Sequence, residues 1–201
     1  MSKYKGIGFD YGGVIAGNPG SVFVEAVSQF LGVTKEDFNK TYFKYNQLFN
    51  NGKIDIYNLY ELIIADLGVS ASVDEVIEFG KNFKSDYINE DVVDLIKKLR
   101  VNYKIGLLSN NTIENANAIK ATGINRLFDA FIISEEIGFS KPSQEAFDIF
   151  FKALDTLPKE TIFIDDSMQS LSKAEEIGYE PVLFESFEKL TNDLEKLGIK
   201  I

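Results

Sequence analysis

Neither cysteine nor histidine occurs in the 201 residues. Without cysteine the chain has no disulfide, no thiolate nucleophile and no sulfur ligand for a metal. Without histidine it lacks the commonest general base, so Ser-His-Asp and Cys-His catalysis are excluded. Any metal site must then be built from oxygen, which suits Mg²⁺ or Ca²⁺ rather than zinc. Long apolar runs are missing too. None approaches the roughly 20 residues of a membrane-spanning helix, and Met1 to Lys5 lead into a strand pattern without the apolar stretch and cleavage site of a secretory signal. The sequence reads as that of a cytoplasmic protein with no membrane partner. Positive charge is scarce: 21 Lys and Arg face 31 Asp and Glu, a formal net charge of −10. That balance argues against nucleic acid, whose binding is dominated by neutralising phosphates. A small anionic partner would need a local metal or lysine to overcome long-range repulsion.

What is present is ordinary globular composition, 45% hydrophobic and 26% charged, which argues against disorder. The length suffices for one substantial core domain with an insertion. Apolar segments at Tyr4 to Phe9, Tyr103 to Leu108, Ala130 to Ile133, Thr161 to Ile164 and Pro181 to Phe184 read as core strands. Several are continuous apolar runs, as expected for strands covered on both faces. Helical patterns separate the last four. Asp91 to Leu99 has apolar residues at helical spacing with lysines in its last turn. Pro142 suits the first turn of a helix running through Phe147, Phe150 and Leu154, and a final helix carrying Phe187, Leu190 and Leu194 ends at Gly198. This alternation predicts an α/β fold, a doubly wound, Rossmann-like parallel sheet of about five strands. About a hundred residues separate the first two strands, too many for a simple crossover. Thr34-Lys35-Glu36-Asp37 resembles a capped helix start, Ser72-Val73-Asp74-Glu75 fits a capping box, and Tyr57 to Leu67 bears an apolar stripe. The segment is therefore expected to be a small helical cap spanning 17–88, inserted into a core of 1–16 and 89–201. Hinges are expected at Ala16-Gly17-Asn18 and Asp86-Tyr87-Ile88.

Chemistry-bearing residues fall at the ends of the strand patterns. Asp10 follows Ile7-Gly8-Phe9 and precedes Gly12-Gly13. A carboxylate there lies at the carboxyl end of a buried strand, where open α/β sheets place their ligands, and the glycines allow close backbone approach. Ser109 ends the second strand, Lys141-Pro142 follows the third, and Asp165-Asp166 ends the fourth.

These residues resemble the motifs of the haloacid dehalogenase superfamily, over the whole chain and including the position of the cap. Asp10-Tyr11-Gly12-Gly13-Val14-Ile15 looks like the first motif, whose leading aspartate is the nucleophile. Leu107-Leu108-Ser109-Asn110 is similar to the second, whose serine binds phosphate, Lys141-Pro142 to the third, and Phe163-Ile164-Asp165-Asp166-Ser167 to the fourth, which holds Mg²⁺. The resemblance implies a Mg²⁺-dependent phosphatase for a small phosphorylated metabolite, such as a sugar phosphate, working through an aspartyl-phosphate. Asp10 and Lys141 would be catalytic, Ser109, Asn110 and Lys141 would bind phosphate, and Asp10, the Gly12 carbonyl, Asp165 and Asp166 would surround the metal. Two positions depart from the pattern. Gly12 stands where family phosphatases usually carry a second aspartate as general acid and base, and Ser170 where relatives often have aspartate or asparagine. The alternatives are a metal-independent haloacid dehalogenase and a phosphate-binding regulator that turns over slowly. Oligomeric state is open.

Overall fold

The structure, a computed structural model, describes residues 3–17, 20–81 and 87–201. Its centre is a sheet of β1 (Gly6–Phe9), β2 (Lys104–Ser109), β3 (Ala130–Ile133), β4 (Thr161–Asp165) and β5 (Glu180–Leu183). All four pairings are parallel, in the order β3-β2-β1-β4-β5. After β1 come α1 (Gly20–Leu31), α2 (Lys35–Asn50), α3 (Ile56–Leu67) and α4 (Val73–Gly80). They are followed by α5 (Glu90–Leu99), α6 (Ile113–Ala121), α7 (Ser134–Ile137), α8 (Gln144–Leu154), α9 (Ala174–Ile177) and α10 (Phe187–Lys196).

The two faces of β1 show how the sequence fixes its surroundings. Side chains alternate across a strand, so Gly6-Ile7-Gly8-Phe9 puts large groups on one face and glycine on the other. Ile7 and Phe9 join a buried cluster with Val92, Leu95 and Ile96 of α5 and Leu190 and Leu194 of α10. On the opposite face Phe147, Phe150 and Phe151 of α8 pack with Phe163 and Tyr179. A Cβ at Gly8 would run into the Phe163 ring and lie 2.7 Å from Phe150 Cζ, and one at Gly106 would lie 2.5 Å from Phe150 Cε2. Glycine is thus what lets the aromatic layer touch the backbone. Burying a phenylalanine of this layer contributes about 2–3 kcal/mol by area removed from water.

The helices between β1 and α5 have a hydrophobic cluster of their own, built on Val27, Phe38, Leu59, Tyr60, Ile63 and Val76. Their starts are capped as the sequence suggests. Thr34 accepts a hydrogen bond from the Asp37 N–H, and Ser72 and Glu75 form a reciprocal capping box. The chain enters and leaves this insertion along adjacent antiparallel segments: Ala16 bridges Ile88, the Gly17 N–H donates to the Tyr87 carbonyl (2.8 Å), and the Asn89 N–H donates to the Ile15 carbonyl (2.9 Å). Of the expected hinge residues, Asn18 and Asp86 lie outside the described residues. One detail is corrected. Pro142 is not in the first turn of α8. Ser143 takes the N-cap, its hydroxyl accepting from the Ala146 N–H, so the helix begins at Gln144 and Pro142 precedes it, joined to Lys141 by a cis peptide.

Candidate active site

The strand order puts Asp10 and the Asp165-Asp166 pair at one place. Successive connections run from β1 outward through β2 and β3, then return across the sheet to β4 and β5. The crevice beyond the carboxyl ends of β1 and β4 is therefore the topological switch point, where such sheets bind ligands. Phe9 pairs in register with Ile164, and the Asp10 N–H donates to the Ile164 carbonyl at 2.8 Å. One residue further on, the two strands deliver Asp10 and Asp165 side by side. Asp10, Asp165 and Asp166 each offer a carboxylate oxygen, all within 4.8 Å of one another.

Lys141 enters from the loop before α8. Its side chain is 1% exposed, with Nζ 2.8 Å from Asp10 Oδ1 and 2.5 Å from Asp165 Oδ2, and 5.2 Å from the centre of the Phe163 ring. Asn110 holds it there: the Lys141 N–H donates to Asn110 Oδ1 (2.8 Å) and Asn110 Nδ2 donates to the Lys141 carbonyl (3.1 Å). The Asn110 side chain, expected to grip phosphate, is thus engaged as a bracket between the end of β2 and the lysine loop. Burial works against the Lys141 charge, but the Asp10 and Asp165 carboxylates outweigh it and hold its pKa above the ordinary value. The balance at Asp165 runs the other way. Burial raises its pKa, Lys141 offsets part of that, Asp10 adds repulsion, and the carboxyl is pushed up to about 6.

The acids divide by what already satisfies them. Asp165 has both oxygens committed, Oδ2 to Lys141 and Oδ1 to the Ser167 N–H at 2.8 Å. Asp10 Oδ1 lies 2.8 Å from the Lys141 ammonium and has no second partner among the described residues, so this buried oxygen keeps a lone pair to offer. Asp166 lies against the turn after β1. Gly13 has φ +80°, and a Cβ there would collide with the Asp166 carboxylate. That cradle admits the carboxylate only because residue 13 has no side chain. Gly12 differs: a Cβ there meets nothing within 4 Å. Ser109, the last residue of β2, is buried, and its hydroxyl makes no hydrogen bond among the described residues. Among the groups named here, three carboxylates and one lysine sum to two negative charges in a small volume. Oxygen donors of that net charge suit a hard divalent cation, and the residues fit one held between Asp10 and Asp166.

A cavity of about 310 Å³ borders this cluster at Lys141 and at Ser167, the neighbour of Asp166. The acids do not line it. Its roof is α2, through Phe43, Asn46, Gln47 and Asn50. The end of α2 is fixed to the core by Ser134, whose hydroxyl donates to the Asn50 carbonyl at 2.5 Å and accepts from the Asn111 N–H at 3.0 Å. Close approach is possible because residue 52 is glycine; a Cβ there would sit 2.7 Å from Glu135 Cγ.

Residues 4–178 match the haloacid dehalogenase-like hydrolase family. The chain belongs to that family. Its fold, a parallel five-stranded sheet with helices on both faces, is the one the motifs imply. A D-ribitol-5-phosphate phosphatase from Bacteroides thetaiotaomicron is 26% identical over 188 residues, covering 88% of this chain and 89% of its own. An enzyme of the family from the same organism, solved with magnesium and inorganic phosphate, superposes with a TM-score of 0.67 at 25% identity, covering 90% of this chain and 94% of its own. A HAD-like hydrolase from Porphyromonas gingivalis shares the fold over the full length of both chains, with a TM-score of 0.72 at 21% identity.

Sequence reasoning missed the α2 residues, Ser134, Ser140 and Gln169. The available signal was an amide triplet, Asn46, Gln47 and Asn50, toward the end of a helix whose other residues are mostly aromatic or charged.

Proposed function

We propose that this hydrolase is a Mg²⁺-dependent phosphatase that cleaves a small phosphorylated metabolite through an aspartyl-phosphate on Asp10. The observation that carries the reading is the buried Lys141, shared by Asp10 and Asp165 at the switch point with Asp166 beside them. Support comes from the relative named for D-ribitol 5-phosphate and from the neighbour that holds magnesium and phosphate.

In this reading the Asp10 carboxylate attacks phosphorus, the bond to the ester oxygen breaks, and the alkoxide leaves with a proton. Water then opens the aspartyl-phosphate, releasing inorganic phosphate and restoring Asp10. Bound between Asp10 and Asp166, with the Gly12 carbonyl, Mg²⁺ would lower the repulsion between carboxylate and phosphate. Lys141 and the Ser109 hydroxyl hold the equatorial oxygens as charge spreads. Asp165 orients Lys141 and helps balance the cluster's charge. Lys141 is the one charged side chain among the described residues lining the cavity, so no carboxyl of that lining protonates the leaving oxygen, and water supplies that proton. The helical insertion, 17–88, acts as a cap that closes over the site.

A metal-independent dehalogenase accounts less well for three clustered carboxylates, which repel one another without a cation. A panel of phosphomonoesters with and without Mg²⁺ tests the proposal. Undetectable turnover by folded, Mg²⁺-loaded protein, or full activity in Asp10→Asn, overturns it; halide release from a haloacid in EDTA supports the dehalogenase.

A further inference from the structure

We infer that α2 selects the leaving group, and that the group it selects is a short, uncharged polyol. The inference rests on the phosphatase reading above. Phe43, Asn46, Gln47 and Asn50 stand at i, i+3, i+4 and i+7, which is one face of a helix. A second face of α2 carries Phe38, Tyr42, Tyr45 and Phe49 into the insertion's own core. The exposed positions of α2 include the charged Lys40 and the Lys44 that pairs with Asp66 at 2.9 Å, and also the uncharged Phe43, Gln47 and Leu48. On the amide-bearing face Asn46 and Asn50 are partly buried while Phe43 and Gln47 are exposed, and none of the four carries a charge. That face is the side that roofs the cavity.

Across the cavity stand Ser140, Ser167, Gln169 and Ser170, with Lys141 at the end bordering the acid cluster. An amide both donates and accepts, as does a serine hydroxyl. A wall made of such groups matches a ligand whose own groups do both, which is the property of alcohols. Among the described lining residues the one charge, the Lys141 ammonium, is already held by Asp10 and Asp165, so a ligand carboxylate or ammonium placed against the amide and serine wall would lose water and gain no unpaired opposite charge, an unfavourable exchange. Phe43 adds one half-exposed ring against which the C–H side of a carbon chain can lie. The volume, about 310 Å³, falls at the small end of ligand pockets and favours a chain of a few carbons over a base-bearing nucleotide. The Ser134–Asn50 and Gly52–Glu135 contacts hold the amide face in place above the core.

The test compares kcat/KM of the full-length, Mg²⁺-loaded protein on four kinds of ester. These are polyol phosphates (ribitol 5-phosphate and glycerol 3-phosphate), phosphorylated carboxylates (3-phosphoglycerate and phosphoserine), nucleoside 5′-monophosphates, and p-nitrophenyl phosphate as a probe that needs no polyol contacts. Polyol phosphates should exceed charged esters of equal length by at least about tenfold. Asn46→Leu and Asn50→Leu should each lower the ratio of polyol phosphate to p-nitrophenyl phosphate turnover by about tenfold, the effect of one lost hydrogen bond, mainly through KM. Asn46→Arg should shift preference toward 3-phosphoglycerate, a gain that misfolding does not produce. If the wild type cleaves p-nitrophenyl phosphate but prefers phosphorylated carboxylates or nucleotides, the inference fails while the phosphatase reading stands. Unchanged ratios in all three variants also overturn it. No turnover of any phosphate ester removes the reading on which it rests.

Discussion

Gly12 offers the sharpest perturbation, because the site has space for a group it does not contain. Family phosphatases usually place their general acid and base at this position, and a Cβ built on Gly12 meets no atom within 4 Å. Its backbone is not in the left-handed region, unlike that of Gly13 at φ +80°, so a side chain brings no conformational strain. Gly12→Asp should therefore fold and present a carboxyl to the leaving oxygen. General acid-base assistance is worth roughly 10²- to 10⁴-fold in rate, or about 3–5 kcal/mol of barrier at 1.36 kcal/mol per tenfold. The gain must depend on the leaving group. An alkoxide departing from glycerol 3-phosphate needs the proton, whereas p-nitrophenolate is stable enough to leave without it. The assay is kcat on both esters across pH 5 to 9, with circular dichroism to confirm folding. A rise of at least about tenfold in the alkyl-to-aryl ratio is expected, together with a new basic limb in the alkyl pH profile. A folded variant with an unaltered ratio would falsify the idea that wild-type turnover is limited by a missing proton donor.

Gly13→Ala should do the opposite: its Cβ would strike the Asp166 carboxylate and its φ is unfavourable for alanine, a cost of about 1–3 kcal/mol, and the rise in Tm with added Mg²⁺ should shrink; an undiminished rise counts against Asp166 as a metal ligand. Ser134→Ala removes the donor to the Asn50 carbonyl, so it should cost about 1 kcal/mol in urea melts and speed proteolysis of the insertion, and equal proteolysis rates would show that this contact does not fix α2. Asp165, with a carboxyl raised from its usual 3.8 to about 6, binds protons more tightly folded than unfolded, so its contribution is full below pH 3.8 and lost as pH rises through 6. About two pKa units at 1.36 kcal/mol each give about 3 kcal/mol. In metal-free protein the stability advantage of wild type over Asp165→Asn should fall by that order between pH 4 and 7, and a pH-independent gap would refute the raised carboxyl.

The sheet was readable in the sequence because its signals are local. Each strand is a short apolar run with a chemically distinctive residue at its end, and Asp10, Ser109 and Asp165 mark those ends directly. The insertion declared itself by length and by its caps, Thr34 and Ser72. Roles that depend on contacts between distant segments were not readable. Nothing near Asn110 in the sequence says that its amide brackets the Lys141 backbone 31 residues away, and nothing near Asp165 says that a lysine and the Ser167 N–H occupy both its oxygens. The start of α8 was misplaced because Pro142 and Ser143 are both good helix-start residues, and only one can precede the first turn. The amide face of α2 was hidden for another reason. At helical spacing it looks like any solvated stripe until the core supplies the opposite wall.

On the proposed reading, the site separates its chemistry from its selectivity along the chain. Among the described residues, the charged groups of the proposed reaction centre come from segments outside the insertion: Asp10 after β1, Lys141 before α8, and Asp165 and Asp166 at the end of β4. Among the described residues the insertion contributes Phe43, Asn46, Gln47 and Asn50 to the cavity, none of them ionisable. Long-range electrostatics in the cluster, which sets the nucleophile and its cation, is therefore nearly indifferent to a neutral substitution on α2. Short-range hydrogen bonding, which falls off within an ångström or so of its optimum, is sensitive to the same substitution. The insertion can thus change which ester is cleaved while leaving the charge arrangement intact, and the two tethers at Ser134 and Gly52 decide how sharply that choice is made.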